Sequence, residues 1–273
     1  MMTFKNLILG TLLVSSSSFA GNITVKGSDT MVVLGQKWAE TYMKTHSGQT
    51  VQVTGGGSGT GISALTNGTT DIAESSRTMK DAEKAAVQTK FNQPAKEIVV
   101  ARDGVTVYVQ KSNPLNELTR DQIKQIYTGK VENWKDVGGP DAKITVYSRE
   151  NNSGTYVFFK EHVLENADYT PRAQTLPGTA AVVNAVARDK NGIGYGGAAY
   201  SKGIKALKIK KDAASPAIAP SAQTVKDGSY VLARALFFYT RGEPTADIKA
   251  FIDWVLSAEG QKVVTEVGYF PVK

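Results

Sequence analysis

The stretch Ser148-Arg149-Glu150-Asn151-Asn152-Ser153-Gly154-Thr155 lies between two runs of different period. Before it, Lys143-Ile144-Thr145-Val146-Tyr147 alternates as a half-buried strand does. After it, Tyr156, Phe159, Val163 and Leu164 recur at helical spacing. The reading is strand, polar loop, helix, with Ser153-Gly154-Thr155 opening the helix. A helix start exposes N–H groups without intrahelical partners and carries the positive end of the dipole. Two hydroxyls and a glycine leave room there for a small anion, and Arg149 brings a planar, permanently charged fork. The plain alternative is an N-cap at Ser153 with Arg149 in a surface ion pair.

The same arrangement recurs upstream. Ile23 and Val25 mark a first strand, Gly27-Ser28-Asp29-Thr30 follows, and Leu34, Trp38 and Tyr42 line one face of a helix. Val51 and Val53 mark a second strand, which runs into Thr54-Gly55-Gly56-Gly57-Ser58-Gly59-Thr60-Gly61 before Ile62 and Leu65 begin a short helix. One hydroxyl at a helix start is usually a cap. Three such loops fit the rule that open α/β sheets bind ligands beyond the carboxyl ends of their strands. Glycine allows close backbone approach to an oxyanion, and hydroxyls donate without adding charge.

The 273 residues, 41% hydrophobic and 21% charged, are enough for two small domains. The apolar run Leu7 to Val14 is too short to span a bilayer, and Ser18-Phe19-Ala20 gives a small-x-small pattern. Residues 1–20 therefore read as a Sec-type signal peptide cleaved after Ala20. There is no cysteine, hence no disulfide and no lipid-modified thiol. A free periplasmic protein is expected. The net charge of +7 suits an anionic ligand. The lysines at 202, 205, 208, 210 and 211 lack interleaved aromatics, which argues against nucleic acid.

Enzyme motifs fail on inspection. Ile62 follows Gly61 where a nucleotide P-loop needs Lys, and Thr60 stands where a hydrolase elbow needs its second glycine. Gly192 to Gly197 matches a dinucleotide pattern literally but lies late in the chain, with no clear helix after it. His46 and His162, the only histidines, have no carboxylates clustered near them, so no metal and no cofactor are expected.

Further along, Asp71 to Arg77 reads as a brief strand with a polar exit. Ile98 to Ala101 and Val105, Val107 and Val109 read as two strand-like runs joined through Arg102-Asp103-Gly104. Thr119-Arg120-Asp121-Gln122 is a capping box. Irregular surface is expected from about Gly203 to Ser229, then a buried strand at Leu236 to Tyr239. The last helix carries Ile248, Phe251, Ile252 and Val255 on one face.

Together these stretches resemble the periplasmic phosphate-binding proteins of phosphate ABC transporters. The resemblance runs through Gly27 to Thr30, the Gly-rich loop, Asp71 to Arg77 and Ile126-Tyr127-Thr128-Gly129-Lys130. It continues through Asn133-Trp134, Ser148-Arg149 with Ser153-Gly154-Thr155, Phe238 to Pro244 and Gly260-Gln261 to Gly268-Tyr269. It implies an α/β, type II periplasmic-binding fold: two lobes joined by a two-segment hinge, lobe I from 22–103 plus 228–273 and lobe II from 104–227. It implies a monomer that binds inorganic phosphate in the interlobe cleft and hands it to the permease subunits of the transporter, without catalysis.

Carried over by position, Thr30, the backbone N–H of Met31, Ser58, Ser76, Arg149, Ser153, Gly154 and Thr155 would hold the phosphate. Ser28, Asp29 and Arg77 are further candidates. Two departures stand out. Relatives carry an aspartate where this chain has Ser76, to accept the phosphate proton, and another where it has Asn151, to restrain the arginine. Asp29 is the first candidate to replace the acceptor, ahead of Asp71, Glu74 and Asp103. The alternatives are a receptor for another tetrahedral oxyanion, sulfate or molybdate, or a secreted phosphatase using Ser58 or Ser153.

Overall fold

Alternating apolar periods place the elements in chain order. The computed structural model describes residues 21–272, so the signal peptide expected over residues 1–20 lies outside the described residues. β1 (Gly21–Gly27) buries Ile23 and Val25, and α1 (Val32–Thr45) lays Leu34, Trp38 and Tyr42 over it. β2 (Gln49–Thr54), α2 (Ser58–Asn67), β3 (Ile72–Ser75) and α3 (Asp81–Phe91) follow. Then come β4 (Ala95–Val109), β5 (Glu117–Thr119), α4 (Arg120–Tyr127), β6 (Thr145–Arg149) and α5 (Gly154–His162). β7 (Gln174–Leu176), α6 (Gly178–Arg188) and β8 (Gly192–Gly197) complete the middle of the chain. Three short strands, β9 (Lys205–Ala206), β10 (Lys208–Lys210) and β11 (Ala217–Ile218), precede α7 (Ala222–Lys226). β12 (Ala233–Arg241), α8 (Ala246–Val255) and α9 (Ala258–Val267) close the chain.

The main sheet runs β2-β1-β3-β12-β4-β8-β6-β7. β2 and β3 flank β1 in parallel, and β6 lies parallel to both β7 and β8. The two long central strands, β4 and β12, are antiparallel to each other. One core gathers Ile23, Leu34, Trp38, Phe238, Phe251 and Val255. The other gathers Val107, Ile126, Tyr127, Trp134, Phe159 and Tyr195. The two α/β lobes implied by the resemblance are therefore present, with β4 running from one core into the other.

The dinucleotide-like glycines, set aside in the sequence, form β8, a strand buried throughout. Three expectations change. The two runs joined through Arg102-Asp103-Gly104 are one 15-residue strand, because β12 pairs across the joint, Asp103 opposite Arg234 and Gly104 opposite Ala233. The segment from Gly203 to Ser229 is not merely surface, since Leu207 and Ile209 fill the second core while β10 pairs with β5. The helix read as the last is followed by α9, capped by Ser257 and ended by Gly268 at φ 98.

Gly61 lets α2 lie directly on β1: a Cβ there would come within 2.3 Å of the Lys26 carbonyl oxygen and 2.6 Å of Gly27 Cα. Backbone cannot yield as a flexible side chain does. Gly61→Ala should therefore lower the free energy of unfolding by about 1–3 kcal/mol. Urea unfolding followed by circular dichroism measures it, and an unchanged midpoint would contradict this packing.

Candidate anion-binding site

The strand-end loops after β1, β2, β3 and β6 meet between the two cores. They bring Ser28, Thr30, Ser58, Ser76, Ser153 and Thr155 together, none more than 2% exposed. Ser28 Oγ donates to Ser76 Oγ at 3.0 Å, and the Ser76 N–H donates to Ser58 Oγ at 3.1 Å. The Thr30 and Thr155 hydroxyls are 2.8 Å apart. Gly154 faces the serines closely, for a Cβ on it would stand 2.4 Å from Ser58 Oγ and 2.6 Å from Ser76 Oγ. Ser153 is indeed an N-cap, its Oγ accepting from the Tyr156 N–H.

Arg149 is not in a surface pair. It is 1% exposed, and it donates through Nη1 to Thr179 Oγ1 at 2.8 Å and through Nη2 to Asp29 Oδ2 at 2.9 Å. Burial lowers its pKa, and the Asp29 carboxylate opposes that shift. Its Nε is buried and has no partner among the described residues. A buried donor left unmet costs about 1–3 kcal/mol, which an acceptor placed there would relieve.

Two candidates sit differently from expectation. The Met31 N–H is bonded to the Ser28 carbonyl at 2.8 Å, because the chain already turns into α1 there. Arg77 grips Glu83 through two bonds, of 2.8 and 2.7 Å, and no bond links it to the hydroxyl cluster. Asp29 turns out to restrain Arg149 from the other lobe, the service that Asn151 cannot perform. Its other oxygen, Oδ1, accepts from the Gly56 N–H at 2.7 Å. Each Asp29 oxygen thus has one partner, and a carboxylate oxygen can accept a second.

A cation that the sequence reading did not name stands beside these hydroxyls. Arg234 is 8% exposed and reaches the same hydroxyls. Its Nη2 donates to Thr155 Oγ1 at 3.0 Å and to Thr30 Oγ1 at 3.4 Å, and its Nη1 donates to the Ser76 carbonyl at 3.1 Å. Asp103 Oδ2 accepts from its Nε and Nη2 at 3.1 and 2.8 Å. The signal was charge inside two apolar runs, Arg102-Asp103 in one and Arg234 alone in the other.

Asn152 was also missed. Its carbonyl accepts from the Gly59 N–H at 2.9 Å, and its Nδ2 donates to the Gly56 carbonyl and to Thr60 Oγ1 at 3.0 and 3.1 Å. It inserts into the Gly-rich loop from the opposite lobe. A Cβ on Gly57, at φ +91, would lie 3.0 Å from its carbonyl oxygen. Among the described residues, no group of three or more His, Cys, Asp and Glu is placed to hold a metal ion.

Glu74 lies behind the site on β3, fully buried, with neither carboxyl oxygen hydrogen-bonded. Burial first, and the neighbouring Asp29 charge second, raise its pKa from 4.5 to about 8. The folded chain then holds a proton that the unfolded chain releases above about pH 4.5. That stabilisation is complete below pH 4.5 and is lost as the pH climbs towards about 8. Urea unfolding at pH 5 and pH 8 should show the wild type losing stability with a limiting slope of about 1.4 kcal/mol per pH unit from this group. Glu74→Gln should remove that slope, and parallel losses in both proteins would show that Glu74 holds no such proton.

Residues 14–259 match the family model of the PBP superfamily domain. The chain is 34% identical over 274 residues to the phosphate-binding protein PstS of Pseudomonas aeruginosa, covering 94% of this chain and 85% of that one. It is 37% identical over 264 residues to the phosphate-binding protein PstS of Staphylococcus aureus, with coverage of 93% and 79%. It also superposes, at a TM-score of 0.84 and 32% identity, on a Clostridium perfringens protein described as a phosphate ABC transporter substrate-binding protein with bound phosphate. That match covers 93% of this chain and all of the other.

Proposed function

Since this chain belongs to the PBP superfamily and, within it, to the family of PstS phosphate-binding proteins, we propose that it captures inorganic phosphate between its lobes and delivers it to an ABC-type phosphate importer. The observation that carries the reading is the buried, unpartnered Nε of Arg149, whose guanidinium is held by Asp29 on the loop that also carries the buried hydroxyls of Ser28 and Thr30. Thr30, Ser58, Ser76, Arg149, Ser153, Gly154 and Thr155 are the residues we assign to the ligand, with Ser28 supporting Ser76 and Asp29 holding Arg149. The Met31 N–H would have to leave Ser28 to take part.

Charge-assisted hydrogen bonds contribute about 1.5–3 kcal/mol each, and a micromolar constant needs only about 8 kcal/mol net. A few such bonds suffice after the cost of ordering and desolvation. No nucleophile here is paired with a base, since Ser58 and Ser76 meet only each other, Ser28 and the Ser76 N–H among the described residues. On this reading the protein is a receptor that works without catalysis, as a monomer in the periplasm, exported by the Sec pathway with cleavage after Ala20. Lobe I comprises 22–103 plus 228–273 and lobe II 104–227, with Tyr230 and Leu232 reaching from the first assignment into the core of the second lobe. The permease subunits of the importer are its partners.

A second reading, a receptor for tetrahedral oxyanions more broadly, is favoured by one observation. Asp29 is occupied by Arg149 and Gly56, and Ser76 can donate as readily as accept. Calorimetry on ligand-stripped protein with phosphate, sulfate and molybdate tests both readings. Phosphate alone should bind with unit stoichiometry if the first holds, and equal competition by sulfate would select the second.

Arg149→Ala should weaken phosphate binding by roughly 30-fold or more, because a desolvated charged partner is worth about 2–5 kcal/mol. Binding within threefold of wild type would remove Arg149 from the site. Asn152→Ala deletes the side-chain bonds that span the lobes. It should weaken phosphate by roughly 5- to 100-fold, at about 1 kcal/mol or more for each of its two bonds. Small-angle scattering at saturating phosphate should then show a larger radius of gyration than in the wild type, and identical profiles would mean that Asn152 does not latch the lobes.

A further inference from the structure

Arg234 has a position no surface arginine would need. It stands on β12 directly opposite Asp103 on β4, at the point where the two long strands pass from one lobe to the other. Its guanidinium stacks over the Phe158 ring of α5, 5.3 Å from the centroid, and Asp103 holds it through two bonds. Asp103 is itself 1% exposed. Nη1 donates to the Ser76 carbonyl, and the second N–H of Nη2 is shared between Thr155 at 3.0 Å and Thr30 at 3.4 Å, one from each lobe.

Arginine donates and never accepts, whereas a threonine hydroxyl does either. An oxygen that accepts from Arg234 must turn its own hydrogen elsewhere. The two hydroxyls are also bonded to each other at 2.8 Å, so one spends its hydrogen on the other and a single O–H remains for a ligand. We propose that Arg234, anchored by Asp103, is the positioning residue that fixes this remaining Thr30–Thr155 hydroxyl as a donor, so that the site prefers the more deprotonated form of its anion. The serine side is set in the same sense, Ser28 donating to Ser76 and the Ser76 N–H to Ser58. The inference rests on the phosphate reading and deepens it, from an anion site to one whose hydroxyl orientation selects the ligand's protonation state. The ionisable groups around Arg234 besides Asp103 are Arg149, Tyr108 and Tyr269.

The test is calorimetry with inorganic phosphate at pH 6 and pH 8 on the full chain. Wild type should bind more tightly at pH 8. Removing Arg234 alone strands a buried carboxylate, so the informative variant is Arg234→Gln combined with Asp103→Asn. Its amides can donate or accept. Affinity at pH 8 should fall roughly 10- to 100-fold, the range of one charge-assisted bond or slightly more, and fall less at pH 6, so that the pH dependence flattens. Arg234→Lys keeps a donor-only charge opposite Asp103 and should retain the wild-type pH dependence at reduced affinity, since its amine cannot reproduce the fork.

Affinity within threefold of wild type in the double variant, or an equal loss at both pH values, would overturn the proposal and leave the pair as a structural one. Should the double variant fail to fold, Arg234→Lys decides: a loss of fivefold or more with the pH dependence kept supports the proposal, and unchanged affinity overturns it. A wild type that takes up no phosphate at either pH fails the parent reading instead, which separates the two.

Discussion

The pairing of β4 with β12 is the constraint on which everything else rests. β4 supplies residues to both cores, and its ladder with β12 runs from Ala95 opposite Arg241 to Gly104 opposite Ala233. Beyond it, β3 continues the sheet on one side and β8 on the other. A register shift between Leu236 and Phe237 is the one irregularity along β12, and the Asp103–Arg234 pair sits close by on the same ladder.

Two buried ion pairs line the cleft, Asp29 with Arg149 and Asp103 with Arg234. Each joins one positive to one negative group, so the side chains of the site are close to neutral before any ligand arrives. Burying such pairs is expensive in itself and contributes little to stability. What they secure is orientation, since a guanidinium held at two points presents its remaining N–H groups in a fixed direction. Attraction of an anion from a distance must come from the wider surface, where the net charge of +7 resides. Capture and recognition are thus handled by different charges.

The elements that alternate cleanly were legible in the sequence. Ile23 with Val25, and Leu34 with Trp38 and Tyr42, announced a strand and a helix that the structure contains. The capping box at Thr119 and Gln122 is present with both its bonds. Ser153-Gly154-Thr155 opens α5 as its hydroxyls and glycine suggested. What failed were judgements that depend on a neighbour distant in sequence. A charged triplet, Arg102-Asp103-Gly104, looks like a turn until β12 is known to lie beside it. Leu207 and Ile209 look stranded among lysines until β5 supplies a partner. Asp29 could be placed near the ligand by its loop, but whether it faces the ligand or Arg149 depends on how the other lobe closes. Arg234 carried the weakest signal, because one arginine in an apolar strand usually marks an exposed face.

The routing of β12 also decides the order in which the molecule is completed. The first core is built from both ends of the chain: Trp38 Nε1 donates to the Gly260 carbonyl, and Tyr269 OH to the Thr30 carbonyl. A polypeptide that appears amino end first can assemble the second core from a nearly continuous segment, while Ile23, Leu34 and Trp38 must wait for Phe238 and Phe251. Contacts across more than two hundred residues carry a loop-closure cost that local ones escape, and they form late. The lobe that begins the chain is the one that finishes last, and until then its apolar face is bare.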